Sequence, residues 1–185
     1  MPQHDSASSV YSGVLRETPT GAIAVWVTRH GVRRIGGVTP EMIEDGHWDA
    51  DGHPTLRIAL HQLEQYFNRK RRHFDLPLDF SGATHFQMQI FERLMGIPYG
   101  RILSYGDIAD EMGEPGAARA VGQAVGANPL PIVIPCHRVV RSDGRLGGYS
   151  GGLRRKVALL RIEGVDVDGH QSGSRVHPEL LRLPL

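Results

Sequence analysis

The chain reads as an α+β protein, with a small N-terminal α/β domain built on an antiparallel sheet and a mostly helical C-terminal domain. Three observations point there. Ile23, Val25 and Val27 alternate with other residues, the period of a half-buried strand, within a β-like stretch at residues 11–38. Leu56, Leu60, Leu63 and Phe67 then recur at helical spacing behind Pro54. Beyond Ser81-Gly82 the apolar residues turn to helical spacing, in several short segments.

Residues 1–9 are polar, read as a disordered leader, and lack the basic-then-apolar signature of a secretory signal. Residues 11–38 form a hairpin or meander, with Gly31 turning the chain after Thr28-Arg29-His30. Residues 39–52 carry Pro40 and two glycines and read as a loop with a short helix. Pro54 suits the first turn of the next helix, where its missing N–H would have no partner anyway. Asn68-Arg69-Lys70-Arg71-Arg72 ends that helix, and basic charge suits a helix C-terminus. The same cluster is also a candidate nucleic-acid patch. Phe74 to Phe80, interrupted by Pro77, reads as an edge strand, where proline is tolerated. The N-terminal domain is thus expected over 10–80, with a linker at 81–82.

Thr84 can cap a helix that carries Phe86, Ile90, Phe91 and Leu94 on one side. Ile97-Pro98-Tyr99-Gly100 is a turn. Ser104 can cap a second helix through Tyr105, Ile108, Ala109 and Met112, broken by Gly113-Glu114-Pro115-Gly116. A third runs from about Ala117 through Arg119, Val121 and Val125 to Ala127. Two short helices across a glycine-containing turn fit a helix-turn-helix, and on spacing alone they fit an ordinary helical hairpin better. Asn128-Pro129-Leu130-Pro131 is a stiff loop leading into the buried run Ile132-Val133-Ile134. Loops at 142–144 and 147–152 precede a last helix at 153–162, with Val157, Leu160 and Ile162 facing inward and Gly164 stopping it. The C-terminal domain is expected over 83–164, and residues 165–185 read as a tail.

No run approaches eighteen apolar residues, so no helical membrane span is expected. The net charge of +1 says little about partners. Residues 97–163 hold nine Arg or Lys against six Asp or Glu, which is compatible with phosphate contacts and common elsewhere. Cys136 is the only cysteine, which excludes a disulfide framework and any zinc site needing two thiolates, and fits a reducing cytoplasm. A thiolate, not a thiol, is the nucleophile, and its formation needs a base or a positive neighbour. His137 is adjacent, and Glu163 could orient it. An acid at a helix C-terminus opposes the dipole and so suggests a specific partner. A buried structural cysteine is equally compatible with this pattern. The third helix is lined with small residues (Ala117, Ala118, Ala120, Gly122, Ala124, Gly126, Ala127) that would let its backbone approach a neighbouring helix or a nucleic-acid groove. Arg119 is its only basic residue, a solvated charge on a bare helix or an intruder among bases on a helix in a groove.

Pro135-Cys136-His137-Arg138-Val139-Val140 is preceded by Ile97-Pro98-Tyr99-Gly100, Ser104-Tyr105, Ala118-Arg119-Ala120-Val121-Gly122 and Asn128-Pro129, and followed by Tyr149-Ser150-Gly151-Gly152 and Glu163-Gly164. In this order and spacing, over roughly residues 63–164, the chain resembles the O6-alkylguanine-DNA alkyltransferases, also called methylated-DNA–protein-cysteine methyltransferases. The resemblance implies a ribonuclease H-like N-terminal domain and a winged-helix-like C-terminal domain. It implies DNA repair by direct, stoichiometric and irreversible transfer of an alkyl group from guanine O6, and from thymine O4, to Cys136, with the base flipped out of the duplex. His137 would act through a water as base, oriented by Glu163, and Asn128 would brace the turn before an active-site strand. Arg119 would fill the gap left by the base. Tyr105 would crowd the 3′ phosphate and meet the guanine with its hydroxyl. Ser104, Ala118, Ala120, Gly122 and Ala127 would complete the minor-groove surface. Pro135, Val139, Tyr149 and Ser150 would line the base pocket with Tyr105, with the Ser150 amide near O6. The implied partner is double-stranded DNA bearing alkylated guanine, with cooperative self-association along it and no membrane. The implied location is cytoplasmic. No cofactor or metal is implied, because the paired cysteines with which some members bind zinc are missing. Two rivals remain: a DNA-binding module without catalysis, and a thiol hydrolase that turns over repeatedly.

Overall fold

The computed structural model describes residues 10–49 and 52–177, so the expected leader at 1–9 and the last part of the expected tail, 178–185, lie outside the described residues. The chain divides into two compact units between Ser81 and Gly82. Among the described residues, no helix is long and apolar enough to cross a membrane.

In the first unit, β1 (Tyr11–Leu15), β2 (Ile23–Thr28) and β3 (Gly31–Gly37) form an antiparallel meander in sequence order. Tyr11 opposes Val27 across the first pair, and Ile23 opposes Gly37 across the second. Helix α1 (Pro40–Asp45) is capped by Thr39, and α2 (Pro54–Phe67) by His53. Helix α2 packs on all three strands through buried Leu56, Ala59, Leu60, Leu63 and Tyr66. Tyr66, rather than the expected Phe67, is the fully buried aromatic. Its ring lies 5.6 Å from both Phe67 and Phe74.

The expected edge strand at 74–80 is reduced to one parallel bridge between Leu78 and Val32. Val32 N donates to Pro77 O (2.8 Å) and Asp79 N donates to Val32 O (2.9 Å). Pro77 has no N–H with which to extend the ladder. Gly31, at φ +136°, makes this approach possible, because a Cβ there would sit 2.3 Å from Pro77 O. Asp79 closes the unit. Burial alone would raise its carboxyl, but hydrogen bonds from Ser81 and Thr28 and the charge of Arg33 hold it well below the usual carboxylate range.

The second unit opens with α3 (His85–Met95), closed at its start by a capping box in which Thr84 Oγ1 accepts from Gln87 N and Gln87 Oε1 from Thr84 N. Strand β4 (Leu103–Ser104) runs straight into α4 (Tyr105–Glu111), and α5 (Ala118–Gly126) packs against both α3 and α4. The run Ile132-Val133-Ile134 is buried but is not a strand. The chain makes a bridge between Pro131 and Ile134, then a 3-10 turn over Cys136–Arg138, and only then β5 (Val139–Val140), parallel to β4. Helix α6 (Leu153–Ile162) follows, with Val157, Leu160 and Ile162 buried.

Residues 165–177 are not a tail. Val165, Val167 and Val176 are buried in one cluster with Ile102, Val140, Leu146, Val157 and Leu160. Antiparallel bridges join Val167 to Val176 and Arg145 to Arg175. Leu146 N donates to Ser174 O (2.9 Å) and Val176 N to Gly144 O (3.0 Å). The segment therefore supports the loop that leads from β5 to α6. Val176→Ala is expected to lower stability by about 1–3 kcal/mol, the cost of lost apolar burial plus a residual cavity. Urea unfolding measures this, and an unchanged midpoint would show that the segment contributes nothing.

Candidate active site

Helix α4 begins with a capping box: Ser104 Oγ accepts from Asp107 N (3.0 Å) and Asp107 Oδ2 accepts from Ser104 N (2.8 Å). The cap fixes Tyr105 at the first helical position, where it lines a cleft of about 740 Å³. Seven of the expected site residues meet there: Tyr105, Ala118, Arg119, Gly122, Cys136, Tyr149 and Ser150. They come from the starts of α4 and α5, the 3-10 turn and the glycine-rich loop before α6. Ser104→Ala removes the cap acceptor and is expected to cost about 1 kcal/mol of stability, measurable as a lower urea midpoint.

Cys136 starts the 3-10 turn, with nearly all of its surface covered. Asn128 builds the loop before it. Its Nδ2 donates to Ile134 O (2.8 Å), and its Oδ1 accepts from Leu130 N (2.9 Å). Burial pushes the Cys136 thiol up. Hydrogen bonds from Asn128 and Tyr149 and the charge of Lys156 pull the other way without reversing the shift. At neutral pH the sulfur is therefore a thiol that needs a base.

His137 is fully buried behind the cleft, and its Nε2 lies 2.9 Å from Glu163 Oε1. Its Nδ1 has no hydrogen-bond partner among the described residues. Burial pushes the imidazole down, against the pull of Glu163, so it is neutral at pH 7. Glu163 caps the C-terminus of α6. Its Oε2 accepts from Gly100 N (3.0 Å) and Arg138 Nε (2.8 Å), and its Oε1 also accepts from Arg138 Nη2 (2.9 Å). Burial would raise this carboxyl, but His137 and then Arg138 outweigh it and hold it far below the usual range. Gly100 sits at φ +75°, and a Cβ there would approach Glu163 O to 2.9 Å, so only glycine brings its N–H this close without strain.

Other expected site residues lie off the cleft. Ser104, expected at a DNA surface, is buried with its hydroxyl engaged in the cap. Pro135 and Val139 are buried and do not line the cleft. Pro135 O accepts from Arg138 N (2.9 Å), and Val139 O accepts from Lys156 Nζ (2.5 Å). Ala120 of α5 and Ala127, the C-cap of that helix, are exposed outside it.

Two residues with no role assigned from sequence belong to the site. Lys156 is fully buried in α6 and ties Val139 O to Leu146 O, and burial lowers its ammonium to about 8. Its signal was helical spacing: Lys156 shares the inward stripe of Leu153, Val157 and Leu160. Arg138, also buried, bonds Ile97 O and lies over the Tyr99 ring at 5.9 Å. Arg141 and Ser142 also line the cleft, and Arg141 adds a second guanidinium to that of Arg119.

Residues 85–165 match the family described as 6-O-methylguanine DNA methyltransferase, DNA binding domain, and residues 10–80 match its ribonuclease-like domain. The methylated-DNA–protein-cysteine methyltransferase of Mycobacterium bovis is 50% identical over 117 residues, covering 63% of this chain and 70% of that protein. The inducible enzyme of Bacillus subtilis is 46% identical over 102 residues, covering 55% of this chain and 56% of its own. Among solved structures, the Mycobacterium tuberculosis O6-methylguanine methyltransferase superposes with a TM-score of 0.70 at 37% identity, over 84% of this chain and 93% of that one. The Mycobacterium tuberculosis protein in complex with DNA gives 0.71 at 37% identity, over 83% and 92%. By sequence over both units and by fold, the chain belongs to the 6-O-methylguanine DNA methyltransferase family.

Proposed function

We propose that this protein repairs alkylated DNA by moving the alkyl group from guanine O6 to Cys136, once per molecule. One observation carries the reading: a lone buried thiol lines a cleft of about 740 Å³, and the next residue is a buried histidine bonded to a carboxylate. The sulfur attacks the alkyl carbon, a C–S bond forms and the C–O6 bond breaks. The thiol proton passes through a water to His137 Nδ1, and the departing guanine takes up one proton, so the sum is guanine and a thioether. Nothing hydrolyses a thioether, so there is no second turnover. Tyr149 and Ser150 cover the base, and a donor near O6 stabilises charge on the leaving guanine. No cofactor enters this scheme.

The DNA surface is the exposed side of α5 with Tyr105 and Arg119. Ala118, Ala120, Gly122 and Ala127 keep that side short enough for the minor groove, and Arg119 fills the space left by the flipped base. Action on thymine O4, cooperative self-association along DNA and a cytoplasmic location that keeps the thiol reduced belong to the same proposal. A binding isotherm steeper than a single site would support the self-association.

The test is intact-mass measurement after incubation with a methylated duplex. A permanent gain of one CH₂ mass per chain on Cys136 is expected. DNA binding without that gain would favour a non-catalytic module, and linear turnover of an ester or amide beyond one equivalent would favour a hydrolase. Arg119→Ala is expected to slow transfer from duplex DNA more than reaction with the free base, because extrusion costs a few kcal/mol. Equal losses on both would remove the plug role.

A further inference from the structure

We propose that Arg138 is a positioning residue for the transfer: by gripping both carboxylate oxygens of Glu163, it keeps the resting His137 a neutral imidazole with its proton on Nε2, leaving Nδ1 free for the Cys136 proton. This rests on the alkyl-transfer reading and deepens it. The grip is bidentate, Nε to Oε2 at 2.8 Å and Nη2 to Oε1 at 2.9 Å, and Arg138 Nη1 is itself held by Ile97 O. Glu163 Oε1 is thus shared between Arg138 and His137 Nε2. All three side chains are buried.

Charge balance sets this state, because a buried medium penalises net charge. With His137 neutral, Arg138 and Glu163 cancel. An imidazolium would leave the trio at +1, beside a further buried cation, Lys156 of α6. That excess disappears only if Cys136 gives up its proton at the same time, because thiolate and imidazolium then cancel. His137 therefore takes a proton in exchange for a thiolate and not from solvent. The groups facing it are Lys156 from α6, Glu163 at its C-cap and Arg138 from its own turn, while Tyr105 and Tyr149 face the Cys136 sulfur. The directions agree: burial pushes the imidazole down most, Glu163 pulls it up, and Arg138 and Lys156 add to the downward push. Without Arg138, the Glu163–His137 pair is balanced as carboxylate and imidazolium. The base would then be charged before the thiol meets it.

The experiment is ¹⁵N NMR of the imidazoles in the DNA-free protein, with His137 assigned by its loss in His137→Gln, together with the pH dependence of the transfer rate. Wild-type His137 is expected neutral at pH 7 with its proton on Nε2. Arg138→Lys, which keeps the charge, is expected to leave it neutral. Arg138→Gln is expected to raise its pKa by about one unit or more and to move the acid limb of the rate profile upward by the same amount, with the rate recovering at high pH. Imidazolium at pH 7 in wild type or in Arg138→Lys overturns the proposal. So does an Arg138→Gln variant slowed equally at every pH with His137 unmoved, the signature of a merely structural arginine. If Arg138→Gln does not fold, the wild-type and Arg138→Lys spectra decide. The spectra need no DNA, so absence of alkyl transfer in wild type would defeat the functional reading while leaving the charge state of His137 measured.

Discussion

Cys136→Ala is expected to abolish alkyl transfer completely while leaving binding to duplex DNA intact. No other thiol can replace it, because the chain contains one cysteine. The substitution removes one buried atom from a turn whose backbone is held independently, by Cys136 N donating to Ile134 O (2.8 Å) and by the Asn128 bracket over 128–134. Ala118, Arg119 and Gly122 of α5 and Tyr105 of α4 do not depend on that atom for position, so the DNA surface survives. Cys136→Ser is expected to be equally inactive. A buried hydroxyl has a far higher pKa than a thiol, and a single neutral histidine cannot prepare it for attack on an alkyl carbon. Intact-mass measurement on a methylated duplex, paired with a binding titration of the unmethylated one, checks both variants. Any residual mass gain would show that the acceptor is another residue.

What the sequence made legible here follows from the range of the forces involved. The caps at Thr84 and Ser104, the meander and the small-residue face of α5 are set by neighbours within a few residues, and each is found where local chemistry puts it. Glu163 was legible for the opposite reason: a carboxylate at the end of α6 violates the helix dipole, and the violation has a cause in His137 and Arg138. Contacts between distant segments were not legible. The valines at 165 and 167 alternate over too short a stretch to mark a strand, and their partner Val176 lies beyond a polar, glycine-containing loop. The 3-10 turn at Cys136–Arg138 has no local signal, because Ile132 to Ile134 and Val139 to Val140 beside it are β-branched, while Pro131 and Pro135 deny the run the N–H donors of a ladder. Arg138 was visible in the motif but carried no role, since its partners stand 25 and 41 residues away.

Glu163→Gln is expected to destabilise the protein by about 3–5 kcal/mol at pH 7, the penalty for leaving a buried cation without its counterion. The amide is the same size, but it replaces one acceptor oxygen with a donor nitrogen. Glu163 Oε2 faces Gly100 N–H and Arg138 Nε–H, and Oε1 faces His137 Nε2–H and Arg138 Nη2–H, so an NH₂ at either place meets donors only. Transfer is expected to fall by about a hundredfold or more, because His137 loses the acceptor that fixes its tautomer. The pH dependence separates this from a loss of packing. The folded-state pKa of Glu163 lies below the ordinary 4.5, so its contribution is fully present above that pH and is lost as the pH falls. In wild type, stability should decline below about pH 4.5 by about 1.4 kcal/mol per pH unit on account of this one group. The variant has no carboxylate to protonate there, and acid-sensitive groups common to both proteins, such as Asp79, cancel in the difference. The stability gap between the two proteins is therefore widest at neutral pH and closes in acid. Urea unfolding at a series of pH values measures it, and a gap that stays constant would mean that the carboxylate acts through its shape and not its charge.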